Sequence, residues 1–179
     1  MNTLYLVRHC QATGQEALAP LTIEGSKQAQ ALCHFFKNKP IDQIISSPFK
    51  RAVDTIAPLA RLRNLPLHTD DRLSERILSP QDRDDWLMQL ERTFEDLDYV
   101  LEGGESSQTA INRITAVMNE QRQNDATTSL ILVTHGNLLS LLLKSVGYHK
   151  GFQDWRKLTN PDVFKISFKP EMHTQRIWE

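Results

Sequence analysis

Thr3-Leu4-Tyr5-Leu6-Val7-Arg8-His9-Cys10 is the stretch that decides how this chain is read. Leu4 to Val7 form a short unbroken apolar run, the pattern of a strand buried on both faces. The run then stops on a guanidinium and an imidazole. In an open parallel sheet, ligands bind beyond the carboxyl ends of the strands. Arg8 and His9 are therefore expected at the rim where an α/β sheet does chemistry. A second apolar run, Leu130 to Thr134, ends in the same manner on His135-Gly136.

The intervening segments alternate between strand and helix patterns. After a loop over 9–20, Thr22 caps a helix reaching about Lys37, with Ala29, Leu32, Cys33 and Phe36 on one face. Residues 41–46 read as a second strand. Ser47 then reads as an N-cap with Pro48 at the first helical position, which puts Arg51 in the first turn. Pro58 predicts a kink or an early end to that helix. Leu67 to Thr69 reads as a short third strand. From 79 to 99 the pattern is charged and helical, with Trp86, Leu87, Leu90, Phe94 and Leu97 on one stripe. Glu102-Gly103-Gly104 is a turn, and 105–123 is helical. Asn137 to Ser145 is an apolar helix ending near Gly147, and Val163 to Phe168 is a last strand, antiparallel at an edge.

The 179 residues suit one domain with a substantial core. A net charge of −1 argues against nucleic acid as a partner, so any positive potential is local. Cys10 and Cys33 lack CxxC spacing, which points to a reducing compartment and away from a disulfide framework or zinc site. No apolar run approaches the roughly 18 residues of a membrane span, and no leader pattern opens the chain. A cytoplasmic protein without membrane contact is expected.

Five further segments follow Arg8-His9: Pro20-Leu21-Thr22-Ile23-Glu24-Gly25, Ser46 to Ala52, Leu73-Ser74-Glu75-Arg76, Gly103-Gly104-Glu105-Ser106, and Val133 to Asn137. In this order they resemble the histidine phosphatase superfamily, the group that includes the cofactor-dependent phosphoglycerate mutases. The likeness runs from about residue 4 to about residue 168. It implies an α/β fold, a three-layer α/β/α sandwich with a mostly parallel central sheet. Residues 1–179 are then a single histidine phosphatase domain. The charged helical segment reads as an inserted cap over the strand ends, at about 79–100, or as an ordinary packed surface helix.

A phosphoryl group in transfer keeps its negative charge on three equatorial oxygens, so catalysis is mostly positioning and charge matching. Arg8 and Arg51 supply planar, permanently charged forks. A protonated His135 adds a donor, and the Gly136 amide at a helix start adds another. A neutral His9 can attack phosphorus to give a phosphohistidine, and two nearby arginines disfavour its imidazolium. Glu75 is the candidate acid and base, because the leaving alkoxide needs a proton and the attacking water must lose one. The resemblance assigns the same roles to these positions. The competing role for Glu75 is an ion pair with Arg72 or Arg76.

The chain departs from the family at three places. Cys10 stands where glycine or alanine is usual, and its thiol is a candidate for oxidation. Gln15 replaces a phosphate-contacting asparagine and is kept as a phosphate-binding residue. Ala12 replaces a threonine. Thr22 and Glu105 are candidate substrate contacts. His34, His68, His149 and His173 are read as surface residues, and the charges at 82–85 as a solvated face. The expected activity is hydrolysis of small phosphomonoesters, with no metal or cofactor. A phosphoglycerate mutase, which would use 2,3-bisphosphoglycerate, and a catalytically silent phospho-ligand binder are the alternatives. The sequence leaves monomer or homodimer open.

Overall fold

The computed structural model describes residues 1–124 and 127–178. Strands β1 (Thr3–Arg8), β2 (Gln43–Ser46), β3 (Leu67–Thr69), β4 (Ser129–Thr134), β5 (Asp162–Ser167) and β6 (His173–Arg176) form one sheet in the order β3-β2-β4-β1-β5-β6. The first four run parallel to one another; β5 is antiparallel to β1, and β6 to β5.

Alternation along the central strands sorts their side chains onto two faces. Leu4, Leu6, Leu130, Leu132, Phe164 and Ile166 pack on one side. There they meet helices α4 (Ser107–Arg122) and α5 (Gly136–Ser145), with Leu90 and Phe94 of α3 (Trp86–Glu95) and Phe152 of α6 (Phe152–Arg156). Tyr5, Val7, Ile131, Val133 and Val163 pack on the other side. Their partners are α1 (Ile23–Phe36) and α2 (Lys50–Arg63). The result is the three-layer α/β/α sandwich, with both sheet faces covered as parallel strands require. Among the described residues no helix is long and apolar enough to cross a membrane.

Register positions the rim. Arg8 pairs with Thr134 across β1 and β4, and the His9 amide extends the ladder to the Thr134 carbonyl at 3.0 Å. The Ser47 amide does the same from β2, reaching the Val133 carbonyl at 2.8 Å. Three strand ends thus stop together.

Several expectations are corrected. Ser47 does not cap α2; its amide is spent on the sheet ladder, Phe49 takes the cap position, and the helix starts at Lys50. Pro58 does not end α2, which runs through it to Arg63. It sits on the partly exposed stripe of the helix, between buried Thr55 and Ile56 and buried Leu59 and Ala60. The helix stops instead at Asn64, which adopts the left-handed conformation favoured at such ends (φ 50°). Only 86–95 of the expected 79–99 helix forms. β5 is antiparallel but interior, because the short polar strand β6 covers it and closes the edge. α6 is a further element that periodicity did not reveal.

Leu132 is fully buried in the central strand β4. Leu132→Ala is expected to cost about 2–5 kcal/mol through lost burial and the cavity left behind, read as a lower midpoint in chemical denaturation.

Candidate active site

Parallel register brings two histidines from distant parts of the chain side by side. The rings of His9 and His135 lie 5.0 Å apart, edge to face. His9 Nδ1 is 2.6 Å from the carbonyl oxygen of its neighbour Cys10. That carbonyl can only accept, so Nδ1 carries the proton and Nε2 keeps its lone pair. Arg51, from the first turn of α2, donates from Nε to His9 Nε2 at 3.2 Å. Its Nη1 donates to the carbonyls of Gln15 and Glu16, each at 2.9 Å, which ties the 9–20 loop to the site.

Burial lowers the His9 pKa to about 3, with the guanidiniums of Arg51 and Arg8 adding to the effect against the hydrogen bond to Cys10. His9 is therefore neutral, as expected, though desolvation outweighs the arginines. His135 is fully buried, and its pKa falls well below the ordinary value, first by desolvation and then by His9 and nearby arginines. The expected imidazolium at His135 is thus corrected: both rings are uncharged. His135 Nε2 lies 2.8 Å from Ser47 Oγ.

Arg8 reaches back to the loop before β5. Its Nη1 donates to the carbonyls of Leu158 (3.1 Å) and Thr159 (3.3 Å). Gly136 makes its position possible: a Cβ there would sit 3.0 Å from the Arg8 Cζ and Nε. The guanidinium accordingly lies against the first residue of α5. Asp162 steadies the same loop, accepting from the Thr159 amide at 3.0 Å and from Arg176 at 2.6 and 2.8 Å.

Glu75 caps that helix. Its carboxylate accepts from the amides of Asn137 and Leu138, each at 3.0 Å, and from the Arg76 amide at 2.9 Å. An acceptor at a helix N-terminus meets both free N–H groups and the positive dipole end. The competing ion-pair role does not arise: Arg72 pairs with Asp70 and Glu120, and the Arg76 side chain turns elsewhere.

These groups open onto a cavity of about 900 Å³ whose wall includes Arg8, Gln15, Glu75, Arg76, Gly136 and Asn137. Ser79, Gln81, Arg83, Trp86 and Trp155 also line it. Asp82 and Asp84, read as a solvated face, are exposed and also belong to this lining. His9, Arg51 and His135 are nearly or fully buried beside it. Three buried polar atoms in this neighbourhood have no partner: Arg8 Nε, His135 Nδ1 and Asn137 Nδ2. Buried polar groups are normally satisfied, so the unmet Arg8 N–H beside a helix start describes a seat for an anion.

The remaining candidates lie apart from the cavity wall. Thr22 caps α1, accepting from the Gly25 amide at 2.8 Å. Gly25 itself is required, because a Cβ would fall 2.0 Å from the Gln11 carbonyl oxygen. Glu105 gives its carboxylate to Arg113, at 2.7 and 2.8 Å. His149 is not a surface residue: it is buried, with Nδ1 2.9 Å from Ser140 Oγ. Sequence reasoning missed Ser47, Thr55, Arg76, Asn137 and Asn160. Thr55 accepts from the Cys10 amide at 2.8 Å and Asn160 donates to the His9 carbonyl at 2.7 Å, so both hold the backbone around the nucleophile candidate. Thr55 had a signal, sitting one turn beyond Arg51 on the same helix face; Asn160 had none.

Cys10 is fully buried, and desolvation raises its pKa to about 11. It is expected to resist iodoacetamide at neutral pH in the folded protein and to react once unfolded, as read by mass spectrometry. His9 and His135 should show no protonation between pH 5 and 8 in NMR titration. The unfolded chain takes up protons near pH 6.5 that the native rings refuse. Stability should therefore decline as pH falls from about 6.5 toward about 3.

Several known proteins are similar to this chain. The relatives include Phosphoserine phosphatase 1 of Hydrogenobacter thermophilus, 29% identical over 75% of this chain and 71% of its own. The "Probable phosphoglycerate mutase GpmB" of Shigella dysenteriae is 24% identical over 99% of this chain and 90% of its own. Among solved structures, Bacillus stearothermophilus YhfR superposes with a TM-score of 0.80 at 22% identity, covering 98% of this chain and 96% of that one. A mycobacterial glucosyl-3-phosphoglycerate phosphatase gives 0.78 at 22% identity, covering 99% and 97%. The family model for the histidine phosphatase superfamily (branch 1) matches residues 4–179, and the chain belongs to that superfamily.

Proposed function

We propose that the protein hydrolyses phosphomonoesters of small metabolites through a phosphohistidine on His9. The observation that carries this reading is the pairing of a neutral His9, its proton held on Nδ1 by the Cys10 carbonyl, with a guanidinium on its free nitrogen. A nucleophilic lone pair and the cation that would neutralise the phosphoryl charge already touch.

In the first step, Arg51 Nε–H exchanges His9 Nε2 for a phosphoryl oxygen, and Arg8 and the Gly136 amide hold the others. His9 Nε2 forms a bond to phosphorus as the bond to the alcohol oxygen breaks. Glu75 enters this step as the carboxylic acid, gives that oxygen its proton and becomes the carboxylate. In the second step a water loses its proton to Glu75 and attacks phosphorus; the P–N bond breaks, phosphate leaves and His9 is neutral again. His135, itself uncharged, donates once bound phosphate compensates a proton on it. Gln15, on the cavity wall, is a further phosphate contact. The positive charge comes from guanidiniums, so the reaction calls for no metal or cofactor. Residues 79–100 act as the cap over the leaving alcohol. Free Cys10 and Cys33 suit a reducing, cytoplasmic setting.

A mutase fits less well. A sugar-acid carboxylate needs a further cation, and of the lining arginines Arg8 is assigned to the phosphoryl group, Arg76 is spent on protein acceptors, and Arg83 is bound to Asp85 at 2.8 and 2.9 Å. Asp82 and Asp84 flank it. A silent binder would not need a nucleophile, its tautomer lock and an acid in one place.

Turnover separates the three. Nitrophenyl phosphate should release free phosphate, while 3-phosphoglycerate with 2,3-bisphosphoglycerate should give no isomerised product. His9→Ala should abolish release and the base-stable, acid-labile phosphate label on the protein; a label that persists moves the nucleophile elsewhere. Arg51→Ala should lower kcat by about 10²–10³. Glu75→Gln should lower kcat by about 10²–10⁴ on alkyl phosphates and by less on nitrophenyl phosphate, whose leaving group needs no proton.

A further inference from the structure

The steps above leave one buried cation unused. Arg76 is 5 % exposed. Its Nε donates to Asn137 Oδ1 at 2.7 Å, Nη1 to the Glu105 carbonyl at 3.0 Å and Nη2 to Thr93 Oγ1 at 2.9 Å. The three acceptors lie on different pieces of the fold: the first turn of α5, the loop before α4, and α3. Thr93 continues the chain of contacts, donating to the Leu90 carbonyl at 2.7 Å and accepting on its own carbonyl from Ser107 Oγ at 2.7 Å. No carboxylate forms an ion pair with this guanidinium among the described residues. An apolar side chain of similar volume would fill the space without the desolvation cost.

What Arg76 does for Asn137 supplies a reason. A side-chain amide offers an oxygen that accepts and an NH2 that donates. Arg76 Nε–H holds the oxygen, so the NH2 points the other way. That Nδ2 is buried without a partner, and Asn137 lines the cavity beside Arg8, Glu75 and Gly136. The Asn137 amide N–H is bonded to Glu75, the proton donor to the leaving oxygen. Nδ2 is thus an unpartnered donor on a residue whose backbone is bonded to the proposed acid and which lines the same cavity.

We propose that Arg76 is a positioning residue for the alcohol half of the substrate. It fixes the Asn137 amide so that Nδ2 donates to an acceptor oxygen of the departing alcohol, and it ties the cap helix α3 to the start of α5. The substrates favoured are phosphomonoesters whose alcohol carries a hydroxyl or carbonyl oxygen near the ester bond. This rests on the phosphatase reading.

The test compares glycerol phosphate, which carries such an oxygen, with nitrophenyl phosphate, which does not. Arg76→Lys and Asn137→Ala should each lower kcat/KM for glycerol phosphate about tenfold more than for nitrophenyl phosphate, chiefly through KM. The double variant should lose no more of that ratio than either single change, because both act through one amide. A purely structural Arg76 would lower thermal stability and both activities alike, and additive losses in the ratio would overturn the proposal. If Arg76→Lys does not fold, Asn137→Ala decides: an unchanged ratio is contrary, a tenfold change is in favour. A wild-type chain that cleaves nitrophenyl phosphate but never glycerol phosphate contradicts the inference alone. One that releases phosphate from neither overturns the phosphatase reading and the inference with it.

Discussion

Everything at the proposed site depends on the parallel pairing of β1 with β4. Arg8 opposite Thr134 puts His9 and His135 one step past the sheet, ring against ring. A slip of one residue would turn each strand's apolar set to the wrong face. It would bring Leu4 and Leu6 toward α1 and α2 and strand Tyr5 and Val7 over α4 and α5. The core that prevents this slip is therefore also what aligns the two histidines. Hydrophobic register, set by Leu, Ile and Val on both faces, does the positioning that a few exposed hydrogen bonds could not.

Electrostatic balance follows from that placement. Two guanidiniums and two imidazoles lie close together, and they coexist because the imidazoles give up their charge. Burial is the first cause for both rings, and the arginines reinforce it. Arg8 and Arg51 are themselves lowered by burial, while Glu75 acts in the opposite direction on each. Glu75 in turn is held by backbone amides at the start of α5. Neutral rings, paired carbonyls and one carboxylate leave a cup with an unmet guanidinium donor suited to an anion.

Much of this was legible from residue order. The apolar runs at 4–7 and 130–134 mark the central strands because a short unbroken apolar run, ended by polar residues, fits a strand buried on both faces. Thr22 and Ser106 cap helices because a hydroxyl there meets a free amide three residues on, in each case with the expected geometry. What escaped notice depends on partners far away in sequence. Ser47 looks like a cap until its amide is seen paired with Val133. His149 looks like a surface residue until Ser140 is found beside it. β6, with the sequence His-Thr-Gln-Arg, carries no strand pattern, and β5 alone supplies its pairing. The charge of His135 was misjudged because the depth of its burial is a property of the packed layers, not of its neighbours in the chain.

The central claim is that His9 Nε2 is the atom that meets phosphorus. A crystal structure of the protein with orthovanadate, a mimic of the phosphoryl group in transfer, tests it most directly. The account predicts a bond from Nε2 to vanadium, with Arg51 turned from the imidazole onto a vanadate oxygen and Arg8 on another. Vanadate bonded to a different side chain, or seated away from both histidines with Arg51 still on Nε2, would contradict it.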